Sequence, residues 1–261
     1  TADWHAPVVA ETYDGGLNDI NGFHVTRAHA LEAMSAARTG PVAEGAVGGG
    51  TGMVCNGFKG GIGNASRRFT AGEQEYTLGV LVQCNYNWDG DDLRLGGRRV
   101  DHLLPVGEHC FTDRSIERHN DWYPYCGDAG ARSVSMSSRD GSIIVIIATD
   151  APLLPHQLAR VAKRPSLALG RLGAVSTAGS GDIFVAFSTA NAGRVDESNH
   201  AEVSVFPNYA LTAVFTAAVQ ATEEAIVNAM TAAETVIGAA GFRVEEMPED
   251  EVRAVFRRSG D

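Results

Sequence analysis

This sequence is short of aromatic and basic residues. Phe, Trp and Tyr make up 7% of its 261 residues, so aliphatic and small side chains must fill the core. Lys and Arg number 21 against 32 Asp and Glu, a formal charge of −11. An acidic surface repels phosphate backbones and anionic lipid, which argues against a nucleic-acid or membrane partner. No uninterrupted run of about 18 apolar residues occurs. The nearest, 210–240, is broken by Gln220, Glu223, Glu224 and Glu234. The four cysteines (Cys55, Cys84, Cys110, Cys126) are too few for a disulfide-built scaffold and suggest a reducing, cytoplasmic compartment. Residues 1–9 have neither the basic nor the apolar stretch of a secretory signal. Thr1 in place of Met suggests a processed or truncated chain, with any targeting signal upstream.

Glycine is in excess, with 30 residues, where roughly 7% of a chain is usual. The glycines follow no collagen-like period, so they mark places where a side chain does not fit or φ is positive. Length and composition fit a globular chain able to bury a sizeable core.

Along the chain, 26–39 reads as a helix. Thr26 caps it, Ala30, Leu31, Met34 and Ala37 form its apolar stripe, and Gly40-Pro41 stops it. A glycine-rich stretch follows at 45–63. Residues 66–70 and 76–86 read as strands joined near Ala71-Gly72. Residues 87–140 read as an irregular excursion around one or two short strands, uncommon in a compact domain and usually functional. The run 142–149 is the strongest strand, apolar on both faces and hence expected to be buried on both sides. A helix over 155–171 should be kinked or interrupted by Pro165. Residues 183–188 read as a second buried strand, 208–237 as one long Ala-rich helix or two in line, 243–244 as a short strand and 249–257 as a terminal helix. Long strands between small-residue helices indicate a layered α/β architecture.

The chemistry centres on Asp140-Gly141-Ser142. A hydroxyl residue opening a buried strand is well placed as an N-terminal nucleophile. If the Gly141–Ser142 bond is cut, Ser142 carries a hydroxyl and an α-amine, and an α-amine with a pKa near roughly 8 serves as a general base at neutral pH. Glycine suits the scissile position because it tolerates strain. The plain alternative is a Gly-Ser turn before a strand.

The surrounding motifs favour the first reading. Ser142-Ile-Ile-Val-Ile-Ile-Ala-Thr-Asp-Ala-Pro-Leu-Leu-Pro-His-Gln-Leu158, Gly179-Ser-Gly-Asp-Ile-Phe-Val-Ala-Phe-Ser-Thr-Ala-Asn191 and Gln220-Ala-Thr-Glu-Glu-Ala-Ile-Val-Asn-Ala-Met230 resemble the small subunit of the L-aminopeptidase/D-esterase family, which includes the β-peptidyl aminopeptidases. Val8-Val-Ala-Glu-Thr-Tyr-Asp14, Leu17-Asn-Asp-Ile-Asn-Gly22, 44–53 and Phe58-Lys-Gly-Gly-Ile-Gly63 resemble its large subunit. The resemblance leaves out only 87–140.

The resemblance implies a four-layer αββα sandwich related to ornithine acetyltransferases, in a single catalytic domain. It implies self-cleavage into residues 1–141 and 142–261. The expected activity is removal of N-terminal residues from small peptides, amides or esters, with no cofactor and no metal. It implies a homo-oligomer, a tetramer or larger. By the same resemblance Ser142 is the nucleophile and Asn85 the oxyanion-hole donor. Ser180 and Asp182 orient the nucleophile's amine and hydroxyl. Glu11 and Tyr13 lie near the substrate, Glu11 pairing with its free amino group. Read structurally instead, Asn85 is a strand-end cap, Ser180 and Asp182 belong to a glycine turn, and Glu11 and Tyr13 have ordinary packing roles. A family member is expected to have a substantial portion before Val8, which this sequence lacks. Rival expectations are an amidase on cyclic or synthetic oligoamides, as in nylon-oligomer hydrolases, and an uncleaved fragment serving as an assembly module.

Other motifs are weaker. Lys59-Gly-Gly-Ile lacks the Gly-Lys-Ser/Thr of a phosphate loop. Gly179–Gly181 is not a nucleophile elbow, because Ala178 breaks the pattern. None of the eight histidines sits in a motif that would place it in a Ser-His-Asp triad. His109, Cys110, His119 and Cys126 form a loose two-His, two-Cys set that reads first as solvent-facing histidines and scattered cysteines, with a structural zinc or a Cys110–Cys126 disulfide in an oxidising compartment as the other options. The aromatics of 120–126 either line the substrate entrance or pack the excursion down.

Overall fold

A computed structural model describes residues 7–104, 109–118, 123–128, 141–192 and 202–257. The elements run α1 (Arg27–Ser35), β1 (Val54–Cys55), β2 (Phe58–Lys59), β3 (Gly61–Ala71), β4 (Gln74–Asn85), β5 (Arg94–Leu95), β6 (Arg98–Arg99), β7 (Cys110–Phe111), β8 (Ser142–Thr149), α2 (Pro155–Val161), α3 (Pro165–Arg171), β9 (Ile183–Ser188), α4 (Leu211–Thr231), β10 (Val236–Ile237), β11 (Phe242–Val244) and α5 (Glu249–Arg257).

The main sheet has the order β3-β4-β8-β9. β3 and β4 form a long antiparallel hairpin, and β8 adds antiparallel to β4. β9 adds parallel to β8, which requires a crossover, supplied by α2 and α3. Alternation along the strands sends Leu78, Val80 and Val82 of β4 and Ile143, Val145 and Ile147 of β8 into one core with the small residues of α4. Each such side chain contributes roughly 1.5–3 kcal/mol on burial. α4 is long and apolar enough to cross a membrane. Here, however, Ala217, Ala221, Ala225 and Ala229 are buried against the sheet. Gly63 of β3 lets the helix approach closely, since a Cβ there would lie 2.6 Å from the Ala229 nitrogen.

The layered α/β character holds. The described residues contribute one helical layer and one main sheet, with a smaller sheet of order β10-β11-β7 beside them. β8 and β9 are not buried on both sides as expected: Ile146 is 37% and Phe187 44% exposed. Among the described residues the helices cover one face. The opposite face carries Asn85, Ser142 and Gly181.

Other expectations change in detail. No side chain of α1 is buried, so its apolar stripe covers nothing among the described residues. Pro165 ends one helix and opens the next, because it cannot continue the hydrogen-bond ladder from α2. The long helix stops at Thr231, and Val236–Ile237 is a strand paired with β11. All four cysteines are paired, Cys55 with Cys84 and Cys110 with Cys126. A disulfide sulfur is no thiolate ligand, so the zinc set fails; His119 lies outside the described residues. Tyr123 packs on Phe242 at a centroid distance of 5.0 Å and Tyr125 on Phe111 at 6.3 Å. Tyr123 therefore packs the excursion onto β11 and Tyr125 onto β7, while Trp122 lies outside the described residues.

Candidate active site

The last residue of β4, Asn85, stands opposite the first residue of β8, Ser142. Two residues on, Ile144 pairs in parallel with Ile183 of β9. Tracing that register back brings Gly181 beside Ser142. A Cβ on Gly181 would lie 2.8 Å from Ser142 Oγ, and the Gly181 N–H donates to the Gly141 carbonyl at 3.1 Å. Gly141 is equally constrained: a Cβ there would lie 2.5 Å from Tyr86 Cα and 2.6 Å from the Asn85 carbonyl oxygen. Close backbone approach requires glycine at 141, whereas Gly181 leaves room for the Ser142 side chain.

Asn85 is 1% exposed, and its carboxamide is held at both ends. Oδ1 accepts from the Val54 N–H at 2.9 Å, and Nδ2 donates to the Tyr13 carbonyl at 2.7 Å. These two bonds fix which end is oxygen and leave the second Nδ2 hydrogen uncommitted among the described residues. Tyr13 thus meets Asn85 through its backbone. Its ring folds against Gly15, and the residue is 49% exposed. Thr12 is buried between them, donating to Met53 Sδ at 2.9 Å and accepting from Gln83 Nε2 at 2.7 Å. Glu11 is exposed and has no hydrogen bond or ion pair among the described residues.

Ser180 and Asp182 flank Gly181 and form a pair. Ser180 Oγ donates to Asp182 Oδ1 at 2.6 Å, and Ser176 Oγ donates to Asp182 Oδ2 at 2.9 Å. The pair borders a shallow cleft that Tyr86 also lines. Burial pushes the Tyr86 phenol well above its usual pKa, an effect to which the Asp182 carboxylate adds. Tyr86 therefore remains a neutral phenol, its oxygen accepting from Asn56 Nδ2 at 3.2 Å.

One feature beside this site carries a charge. Lys59 is fully buried in the glycine-rich stretch. Its Nζ donates to the carbonyls of Gly50 (3.0 Å), Met53 (2.7 Å) and Gly60 (2.6 Å). Burial lowers the ammonium to about 7. Three carbonyls around one nitrogen match the three N–H groups of the protonated form.

The structure thus gathers Ser142, Gly141, Asn85, Gly181 and the Tyr13 backbone, with Ser180 and Asp182 adjoining and Glu11 apart. Sequence reasoning missed Thr12, Gln83, Ser176 and Lys59. Thr12 lies inside the quoted motif, and Gln83 shares a strand face with Asn85 at a spacing of two. A lone lysine amid glycines was the available signal for Lys59; Ser176 gave none.

The peptidase family S58 model matches residues 1–244. The chain belongs to peptidase family S58. It is 49% identical over 259 residues to the β-peptidyl aminopeptidase BapA of Sphingosinicella microcystinivorans, covering 98% of this chain and 62% of that protein. It is 41% identical over 254 residues to BapA of Sphingosinicella xenopeptidilytica, covering 96% of this chain and 60% of the relative. It therefore spans about three-fifths of the length of these curated relatives. Among solved structures it matches the L-aminopeptidase D-Ala-esterase/amidase of Ochrobactrum anthropi with a TM-score of 0.81 at 41% identity, over 100% of this chain and 65% of that one. That structure is described as a prototype of the serine aminopeptidases and a variant of the Ntn-hydrolase fold. A Burkholderia sp. β-aminopeptidase matches with a TM-score of 0.79 at 42% identity, over 100% of this chain and 66% of that one. The S58 chain described here shares their layered α/β fold.

Proposed function

We propose that this chain is the catalytic part of a self-processing serine aminopeptidase and amidase-esterase, acting on N-terminal residues of small peptides, amides or esters. The observation that carries the reading is Ser142 at the head of β8, with Asn85 opposite and Gly181 alongside. In self-cleavage, Ser142 Oγ attacks the Gly141 carbonyl carbon, and its proton passes to the departing Ser142 nitrogen. The Gly141 acyl group moves from nitrogen to oxygen, the freed nitrogen becomes the α-amine, and water hydrolyses the ester to leave the Gly141 carboxylate. The Gly181 N–H already on the Gly141 carbonyl would take up the charge on that oxygen.

In turnover the α-amine of Ser142 takes the hydroxyl proton while Oγ attacks the substrate carbonyl. The uncommitted Nδ2 hydrogen of Asn85 donates to the developing oxyanion. The protonated amine returns its proton to the departing amine or alcohol, and water then hydrolyses acyl-Ser142. Ser180 and Asp182 orient the α-amine from their place beside Gly181. Glu11 pairs with the substrate's ammonium, and Tyr13 lines the site. A tetramer or larger homo-oligomer is part of this reading. As for the compartment, the cytoplasm suggested by sparse cysteines sits poorly with two disulfides, which persist in oxidising surroundings. An oxidising compartment is the reading proposed.

Intact-chain mass spectrometry tests the core of this. Two chains meeting at Gly141 and Ser142, replaced by one chain in Ser142→Ala, are expected. A single chain in both proteins, inactive on aminoacyl p-nitroanilides, would overturn it.

A further inference from the structure

The Met53–Val54 peptide is gripped at both ends. Its carbonyl accepts from Lys59 Nζ at 2.7 Å and from the Gly60 N–H at 2.9 Å. Its N–H donates to Asn85 Oδ1 at 2.9 Å. We infer that Lys59 is a positioning residue for the oxyanion site, acting on Asn85 through this single peptide unit. The inference rests on the reading of Asn85 as the oxyanion donor.

The physical chain is short. A cation at an amide oxygen favours the resonance form with charge on nitrogen, which makes the Val54 N–H a stronger donor. A stronger donor on Asn85 Oδ1 polarises the carboxamide in the same sense and makes its Nδ2 hydrogens stronger donors. Such chains reinforce each bond by about 10–30% in condensed phases. The same contacts fix geometry. The other two Lys59 bonds, to Gly50 and Gly60, anchor the strap that carries Val54. Neutral side chains available from the genetic code do not supply three donors from one nitrogen. A fully buried lysine with no carboxylate partner in hydrogen-bond contact among the described residues is costly to retain. A role reaching beyond packing accounts for it.

A double-mutant cycle tests this. Lys59→Met, Asn85→Ala and the double variant are purified, and kcat on an aminoacyl p-nitroanilide is normalised to the fraction of chain cleaved at Ser142. Lys59→Met is expected to lower kcat roughly 10-fold with KM within about two-fold, since only transition-state donation is weakened. In the Asn85→Ala background it should lower kcat no further. A full-sized effect in that background, or an unchanged kcat in Lys59→Met, would overturn the inference. Should Lys59→Met not fold, Lys59→Gln serves in the same cycle, with a smaller loss expected. The Asn85 side-chain amide resonances, assigned through Asn85→Ala, are expected to move in Lys59→Gln; unmoved resonances would count against the coupling. If Asn85→Ala alone keeps full kcat, the oxyanion assignment fails, while the resonance shift still decides whether Lys59 acts on Asn85.

Discussion

Asn85 and Ser142 are register partners across β4 and β8, the last residue of one strand facing the first residue of the other. The hairpin β3–β4 fixes where β4 ends, and the ladder to β8 then fixes Ser142 relative to Asn85. Slipping β8 by one residue against β4 would send Ser142 to the helix-covered face, away from Asn85. Nucleophile and proposed oxyanion donor are therefore placed by backbone pairing, with Val54 and Tyr13 holding the amide's orientation.

Asn85→Ala is expected to lower kcat by about 10²–10³ on amide substrates, the usual loss for one oxyanion donor. It also leaves the Val54 N–H without its partner, at about 1–3 kcal/mol of stability. Steady-state kinetics together with thermal melting separate the two. A variant that loses stability but keeps kcat would remove Asn85 from the chemistry.

Gly181→Ala places a Cβ 2.8 Å from Ser142 Oγ. The hydroxyl must turn or the β9 approach must widen, either of which disturbs attack on the Gly141 carbonyl. Displacements of that order cost roughly 10²-fold in rate. Self-cleavage, followed by the appearance of the Ser142 N-terminus over time, should slow by at least 10-fold (by the same estimate) while the fold is kept. Cleavage at the wild-type rate would show that the close contact is dispensable.

Much of this was legible in sequence where local chemistry decides structure. Ser142–Thr149, Ile183–Ser188 and Glu249–Arg257 fall where a β-branched run, an apolar run bounded by Gly-Asp and an acidic first turn put them. Gly141 was legible as a strain-tolerant scissile residue, but the close contacts of Gly141 and Gly181 emerge only from the folded chain. What escaped depends on partners distant in sequence. β3 begins inside a glycine-rich run that reads as loop, and extends because β4 pairs with it. Val236–Ile237 is a strand only through β11. Cys55 and Cys84 pair because β1 lies against the end of β4, and Lys59 is buried because three carbonyls converge on it.

The two disulfides should separate by function. Cys84 directly precedes Asn85, and its bridge ties β4 to Cys55, beside Val54. Cys55→Ser/Cys84→Ser should lose both stability, roughly 3–4 kcal/mol in the chain-entropy model for a separation of 29 residues, and kcat. Cys110→Ser/Cys126→Ser removes the bridge across a separation of 16 and should cost about 3 kcal/mol with kcat unchanged. Denaturant melts and kinetics on both pairs check this. Equal kinetic losses would mean that proximity to Asn85 is irrelevant. Thiol titration of freshly isolated protein would also test the oxidising compartment, since two free thiols per bridge are expected if the cell keeps them reduced.

His109 supplies a pH dependence of stability. It is buried among Trp88, Tyr123 and Phe242, with Nε2 3.3 Å from the Trp88 carbonyl and Nδ1 without a partner among the described residues. The geometry suits a neutral ring donating from Nε2. Burial lowers its pKa to about 4, opposed only weakly by the Trp88 carbonyl. In the unfolded chain the ring titrates near roughly 6.5. Between those values the unfolded state binds a proton that the folded state refuses, so stability must fall as pH falls. The loss begins near pH 6.5, levels off near pH 4 and amounts to as much as ~3 kcal/mol. Above pH 6.5 both states hold a neutral ring, and His109 contributes no slope. His109→Leu removes the titrating group and the unpartnered nitrogen together. Urea melts from pH 4 to pH 8 should therefore give a shallower acid-side decline for the variant. Parallel curves for the two proteins would show that His109 stays as easily protonated folded as unfolded.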